Sequence, residues 1–406
     1  MTKKKEGVIE LKEGVEYTIV EVKKILLQIA DVVKEGKAHE IPAIFLWGPP
    51  GVGKSSVVRQ VAEEKGMMVE DLRLSQLDIP DLRGIPTIER VNMTRVVTWA
   101  VPAFLPKSKP GETKAEKPGF LFLDEFNLAD PSIQATAYQL VLDRRVGEYR
   151  LPDNWYVMAA GNRRKEAINV YDMPKPLISR FIHIIVVPSF DAWLPWALKV
   201  GIDERIIAFL KFKPQYFYHL VPESPEIAYP CPRTWEFASK MLKITGECKV
   251  VGTAVGPTVG AEFCHFAEVF SKIPNIDEVL DMDMEELRKK FEKNPIFPYE
   301  LKEGKVDPAL WSAISSALAL RTIQVKDETQ RDKRINNVLN IAYQLHVNGF
   351  GEWSTFLTTS LGFKAEEIKE IYKKFEPYRR LIAKRVEEKE RLRKLEEEER
   401  LKEKES

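Results

Sequence analysis

The stretch FLWGPPGVGKSS, from Phe45 to Ser56, decides how the rest of the chain is read. Its residues Gly48, Pro49, Pro50, Gly51, Val52, Gly53, Lys54 and Ser55 satisfy the spacing GxxxxGK[ST]. Glycines let backbone amides turn inward around phosphate oxygens, and a helix opening near Lys54 aims its positive dipole end at the same anion. In such a loop the lysine reaches the β- and γ-phosphates, and the Ser55 hydroxyl completes the shell of a Mg2+ ion. The flanks fit: AIFLWG before the loop is a short apolar run of strand type, and VVRQVAEEKG after it reads as a helix ending at Gly66. Gly48 through Ser56 are therefore the candidate nucleotide-binding residues.

A second motif follows. GFLFLDEFN has almost no polar alternation, as expected of a central parallel strand buried on both faces. Asp124, at its end, is placed to hold Mg2+. Glu125, one residue on, is placed to orient and deprotonate an attacking water. That second acid separates a hydrolase from a mere nucleotide binder. Asn162, in VMAAGNRRK, follows another buried run whose strand should lie between the two motif strands. A neutral amide there can hydrogen-bond both a lytic water and a γ-phosphate without repelling either.

The wider pattern is α/β. YTIVEVKKILLQIADVVKEGK places Ile19, Val22, Ile25, Leu26, Ile29 and Val33 on one helical face. MMVEDLRLS, WYVMAAGN and FIHIIVVP are further strand candidates, and PSIQATAYQLVLDRR is a helix with Pro131 in its first turn. Strands alternating with helices predict a parallel sheet with helices on both faces. From about Ser189 strand signals stop, and DAWLPWALKVG, DERIIAFLKF, TWEFASKMLKITG and GAEFCHFAEVFSKI read as helices. Two stretches interrupt this scheme. PKSKPGETKAEKPG, Pro106 to Gly119, reads as a flexible surface loop. The segment from Leu77 to Pro106 is a long mixed insertion, with apolar Val91, Met93, Val96, Val97, Trp99 and Phe104. These could touch a client, line a pore or pack on the chain's own core. The expected division is an N-terminal helix in 1–40, a nucleotide-binding domain in 41–190 with its insertion near 78–118, a helical lid in 191–275, a C-terminal helical region in 276–383, and a charged, solvated helix in 384–406.

In this order, phosphate loop, DE box, Asn162, LISRF and CPRTWEF resemble an AAA+ ATPase, and the DLRG-bearing insertion resembles the helix-2-insert clade, especially the MoxR-like family. The resemblance spans roughly Ala43 to Lys243. It implies a P-loop NTPase core followed by an all-α lid, with ATP and Mg2+ bound. It makes Arg180, before Phe181, the finger that reaches a neighbouring subunit's site. Arg144 and Arg145 are the alternative for that role. Arg233, after Pro232, becomes the lid arginine that senses the γ-phosphate. A trans finger implies a ring, a hexamer in related proteins, with a protein client. MoxR-type ATPases further imply a von Willebrand A-type partner on a separate chain. ATP rather than GTP is an expectation of the family, because nothing in the loop selects the base.

Composition narrows the field. Lysine plus arginine number 62 against 61 acids, which argues against nucleic acid held by bulk charge. No apolar run approaches the about 20 residues of a membrane span, and MTKKKEGVIELKEG lacks the apolar core of a secretory signal. Cys231, Cys248 and Cys264 show no CxxC spacing and read as reduced thiols of a cytoplasmic protein. The five histidines show no metal-ligand spacing. A nucleic-acid motor or restriction-type translocase stays open, with Lys107, Lys109, Lys114 and Lys117 as phosphate contacts. A nucleotide-gated scaffold without turnover is the third reading, disfavoured by Glu125 and Asn162.

Overall fold

The apolar runs become the strands of one sheet. A computed structural model describes residues 14–361, apart from 92–93, 167–169, 222–224, 272, 274, 284–285, 288–307, 348–353, 356 and 359–360. In chain order the strands are β1 (Glu16–Tyr17), β2 (Ala43–Trp47), β3 (Met68–Arg73), β4 (Ile85–Val91), β5 (Thr94–Ala100), β6 (Gly119–Asp124), β7 (Arg145–Val146), β8 (Tyr149–Arg150), β9 (Trp155–Gly161) and β10 (Phe181–Val186). Six of them pair in the order β1-β10-β2-β9-β6-β3, every pairing parallel. The others form two antiparallel hairpins, β4–β5 and β7–β8. The helices of the same region are α1 (Ile19–Lys34), α2 (Lys54–Lys65), α3 (Ile79–Arg83), α4 (Pro131–Asp143), α5 (Lys175–Ile178) and α6 (Phe190–Val200). Then come α7 (Glu204–Phe212), α8 (Pro232–Thr245), α9 (Lys249–Val255) and α10 (Pro257–Phe270).

Period-two alternation sorts each central strand between two cores. Phe45, Leu121, Leu123, Val157, Ala159 and Phe181 face Leu74, Leu82, Phe126, Ile133, Ala137 and Leu140, which come from the segment around α3, from the turn after β6 and from α4. Ile44, Leu46, Phe120, Phe122, Met158 and Ile184 face Val22, Leu26, Val57, Val58 and Val61 of α1 and α2. Both faces are buried, so these runs carry no polar alternation. Local signals set the helix ends. Thr18 and Glu21 form a capping box at the start of α1, and Gly66 ends α2 with φ 65°.

Two stretches add elements that the sequence pattern did not show, and two expectations are corrected. The N-terminal segment does more than supply a helix, because β1 adds a sixth strand beside β10. The insertion is ordered: α3 leads into the β4–β5 hairpin, with seven residues in each strand. The loop from Pro106 to Gly119 is fastened, not flexible. The Asn154 side chain donates to the Ala115 carbonyl and accepts from its amide, both at 2.8 Å. Lys114 also donates to the Glu35 carbonyl at 2.9 Å, and Trp155 Nε1 to the Lys117 carbonyl at 2.9 Å. Lastly, Cys248 and Cys264 are joined by a disulfide, leaving Cys231 free and buried. The reason is a close helix crossing. A Cβ on Gly260 of α10 would lie 2.3 Å from the Gly252 Cα of α9. That approach brings the two cysteine Cα atoms to 5.3 Å, within disulfide reach.

The chain divides into two compact units, Met1–Ile206 with Lys213–Cys264, and Ile207–Phe212 with His265–Ser406. The first holds the sheet and the site below. In the second, Arg334 grips Asp281 through two hydrogen bonds of 2.8 and 2.6 Å and Asp277 through one of 2.9 Å. This ties a short helix, α11 (Ile276–Asp281), to the helix Glu328–Val347. The charged segment 384–406 lies outside the described residues, as does most of the region around Glu352 to Phe375.

Candidate nucleotide-binding and hydrolysis site

Strand order builds the site. With β9 between β2 and β6, the phosphate loop, Asn162 and the Asp124–Glu125 pair emerge from the carboxyl ends of three neighbouring parallel strands, where ligands of open α/β sheets bind. Two loop positions require glycine. Gly51 has φ 80°, and a Cβ there would meet the Cys231 sulfur at 2.5 Å. Gly53 has φ 106° and caps α2. The first amides of α2 have no carbonyl four residues back within the helix and are available to an anion.

Lys54 is buried, and its ammonium donates to the carbonyls of Gly48 at 2.5 Å and Pro49 at 3.2 Å and to Asn162 Oδ1 at 3.1 Å. Burial pushes this ammonium down to about 8, partly opposed by the charge of Asp124. The Ser55 hydroxyl donates to Asp124 Oδ2 at 2.5 Å. Loop and DE strand thus place two hard oxygens side by side, a donor set that suits Mg2+. Among the described residues no group of three or more His, Cys, Asp or Glu could hold a metal by itself.

Glu125 has φ 54° and ψ 33°, a left-handed conformation unusual for a residue with a Cβ. Its amide donates to Asp124 Oδ1 at 2.9 Å, and its carboxylate accepts from the Ser75 hydroxyl. The two neighbouring carboxylates thus have different partners, Asp124 the Ser55 hydroxyl and Glu125 the Ser75 hydroxyl.

Sequence reasoning missed the residue that holds Asn162. Asn127 is 2% exposed, donates to the Asn162 carbonyl at 2.7 Å and accepts from the Asn162 amide at 3.1 Å. Gly161 makes room for it, since a Cβ there would lie 2.2 Å from Asn127 Oδ1. A buried asparagine two residues after Glu125 was the available signal, but burial is not visible in one sequence. Ser75 was missed for the same reason. Beside Lys54, Arg163 pairs with the buried Glu166.

The arginines differ in their surroundings. Arg233 is the second residue of α8 and is exposed, with its Cβ 3.7 Å from where a Gly51 Cβ would sit. Tyr218 approaches the loop too, donating to the Pro50 carbonyl at 3.3 Å. Arg180 is exposed just past α5, and among the described residues its guanidinium has no hydrogen-bond or ion-pair partner. Arg144 instead donates to the Pro152 and Trp155 carbonyls, both at 2.7 Å. Its own φ is 54°. Arg145 is exposed on β7.

This sheet, loop and DE strand define a P-loop NTPase of the AAA+ fold. Residues 43–181 match the family described as AAA domain (dynein-related subfamily), so that segment is an AAA domain. No curated protein matches the chain. Solved structures that resemble it include a mutant of RuvB from Thermotoga maritima, at 15% identity and TM-score 0.35, covering 77% of this chain and 86% of that one. Another is that organism's RuvB Holliday junction branch migration motor, at 14% identity and TM-score 0.33, covering 73% and 81%. A candidate ATPase from Cytophaga hutchinsonii has 16% identity and TM-score 0.31, covering 61% and 79%. Likenesses this distant speak to neither substrate nor partner.

Proposed function

We propose that the chain is a MoxR-like AAA+ ATPase. In this reading it hydrolyses ATP at the subunit interfaces of a ring, a hexamer, and uses lid motion to remodel or activate a protein client with a separate von Willebrand A-type partner. One observation supports the reading: Lys54 bonds Asn162 and Ser55 bonds Asp124 beside the loop, whereas the exposed Arg180 side chain has no hydrogen-bond or ion-pair partner among the described residues.

Each residue has a role. Amides of the Gly48–Ser56 segment and Lys54 hold the β- and γ-phosphates. Ser55 and Asp124 would hold Mg2+, which when bound neutralises charge on the phosphate oxygens. Glu125 takes a proton from the attacking water, and Asn162 orients that water against the phosphate. Asn127 keeps Asn162 at its station. Arg180 of a neighbouring copy stabilises charge on the transferring phosphoryl group, and Arg233 reports the γ-phosphate to the lid. Arg144 is a poor finger because its guanidinium is already committed to two carbonyls.

The client-facing element of this proposal is the β4–β5 hairpin. Ile88 and Val97 sit opposite each other with 72% and 56% of their surface exposed. Phe104, by contrast, packs on the core, and Trp99 lies under Arg83. The side chains of Val91 and Met93 lie outside the described residues. Lys114 is used within the chain, which weakens the nucleic-acid alternative.

Steady-state ATPase activity measured against protein concentration tests the proposal. Activity per subunit should rise with concentration and should vanish in Glu125→Gln while nucleotide still binds. Activity per subunit that stays flat on dilution would contradict a shared site. Stimulation by duplex DNA that weakens with added salt would replace the protein client with nucleic acid.

A further inference from the structure

An aromatic cluster beside the phosphate loop takes no part in the chemistry above. Phe45 stacks on Trp47 at 4.2 Å between centroids and meets Phe126 and Phe181 edge-on at 5.8 and 5.2 Å. The His183 ring lies 6.0 Å from Trp47. Three of these rings adjoin functional candidates in the chain. Trp47 precedes Gly48, Phe126 follows Glu125, and Phe181 follows Arg180.

His183 has polar work inside this cluster. Its Nδ1 accepts from Trp47 Nε1 at 2.8 Å, which leaves the ring proton on Nε2. Nε2 faces the Ile178 carbonyl at 2.8 Å and donates to it. Ile178 ends α5, and the next turn closes where the Arg180 amide donates to the Leu177 carbonyl at 3.1 Å. A continuous hydrogen-bond chain thus runs from the strand end that launches the phosphate loop to the turn that carries Arg180. Both bonds require the singly protonated ring, and no aliphatic or phenyl side chain can replace it.

We infer that His183 is a positioning residue for Arg180: through the Trp47–His183–Ile178 chain it fixes the turn presenting this arginine to a neighbouring subunit, in register with its own subunit's phosphate loop. The inference rests on the proposed reading of Arg180 as a trans finger. It adds a route by which the loop of one site biases the finger that serves the next.

Mixed rings test it. Glu125→Gln subunits supply a finger but do not turn over, and Arg180→Ala subunits turn over only with a finger from a neighbour. An equimolar mixture should therefore be active. Adding His183→Phe to the Glu125→Gln subunit should lower that activity about tenfold to a hundredfold, the scale of a misplaced catalytic group. Adding it to the Arg180→Ala subunit should have a several-fold smaller effect. Trp47→Phe, which keeps the stacked ring and removes the N–H, should show the same asymmetry. His183→Gln, with one acceptor and one donor, should recover part of the loss. Equal loss at both placements, or no loss at either, overturns the inference. An inactive parent mixture overturns the finger reading itself and the inference with it, a pattern distinct from the other two.

Discussion

The inner and outer halves of the proposed site are built differently. The inner half (Lys54, Ser55, Asp124, Asn162) is knitted together within one chain, and Lys54 is buried deeply enough that its pKa falls to about 8. The outer half, Arg180 and Arg233, is exposed and without hydrogen-bond or ion-pair partners among the described residues. An arginine left in water contributes almost nothing to its own subunit's stability. It becomes consequential only when something charged is brought to it. The contrast teaches where to look for oligomer dependence: in the arginines, and not in the loop.

The largest expected effects test that contrast head-on. Arg180→Ala should lower kcat by about 10³ to 10⁵ while leaving nucleotide affinity of the isolated subunit intact, as read by titration with a fluorescent ATP analogue. Losing affinity instead would place Arg180 in its own subunit's site. Asn127→Ala should follow, lowering kcat by about tenfold to a hundredfold through a displaced Asn162. Asn127→Asp, which keeps the acceptor and loses the donor, should fall between it and wild type.

Lys54 supplies a pH test of the inner half. Its depressed pKa means that the folded chain holds the charged ammonium at a cost below about pH 8, relieved as pH rises towards the ordinary 10.5. A bound phosphate favours the charged form. Nucleotide affinity should therefore fall as pH rises through about 8, with proton uptake on binding. Calorimetry in buffers of unlike protonation enthalpy reads that uptake, and none in this range would show that Lys54 stays charged without the anion.

Smaller effects separate the two arginine candidates. Arg144→Ala should destabilise the fold by about 1–3 kcal/mol, because two partly buried carbonyls lose their donor. Arg145→Ala, on the surface, should change stability by less than about 0.5 kcal/mol. Chemical denaturation measures both. A large activity loss in Arg145→Ala with stability unchanged would move the finger role there. Smallest of all, Ile88→Ser should leave ATP turnover and stability nearly unchanged, and any effect should appear only with a client present.

The parts that were legible in the sequence are those governed by local rules. The phosphate loop and the DE strand follow from glycine placement and from apolar runs too uniform to be one-sided, whereas the position of β9 between them is expected from the order of the motifs and their family resemblance. The parts that were hidden are tertiary. β1 has only two residues and leaves no periodicity to detect. The β4–β5 hairpin carries Pro86, Glu89, Arg90 and Arg95 among its apolar residues, so its alternation is blurred. The Cys248–Cys264 bond depends on Gly252 meeting Gly260 across two helices, which no cysteine spacing encodes. Asn127, Ser75 and His183 each act through a partner at least 35 positions away, or at the far end of a turn.

The most direct measurement is ATPase activity of Arg180→Ala and Glu125→Gln, each alone and mixed in equal amounts, across a range of protein concentrations. The account predicts two nearly inactive proteins whose mixture regains activity, increasingly so at higher concentration. A mixture no more active than its components, or an Arg180→Ala protein that turns over normally alone, would contradict a site completed by a neighbouring chain.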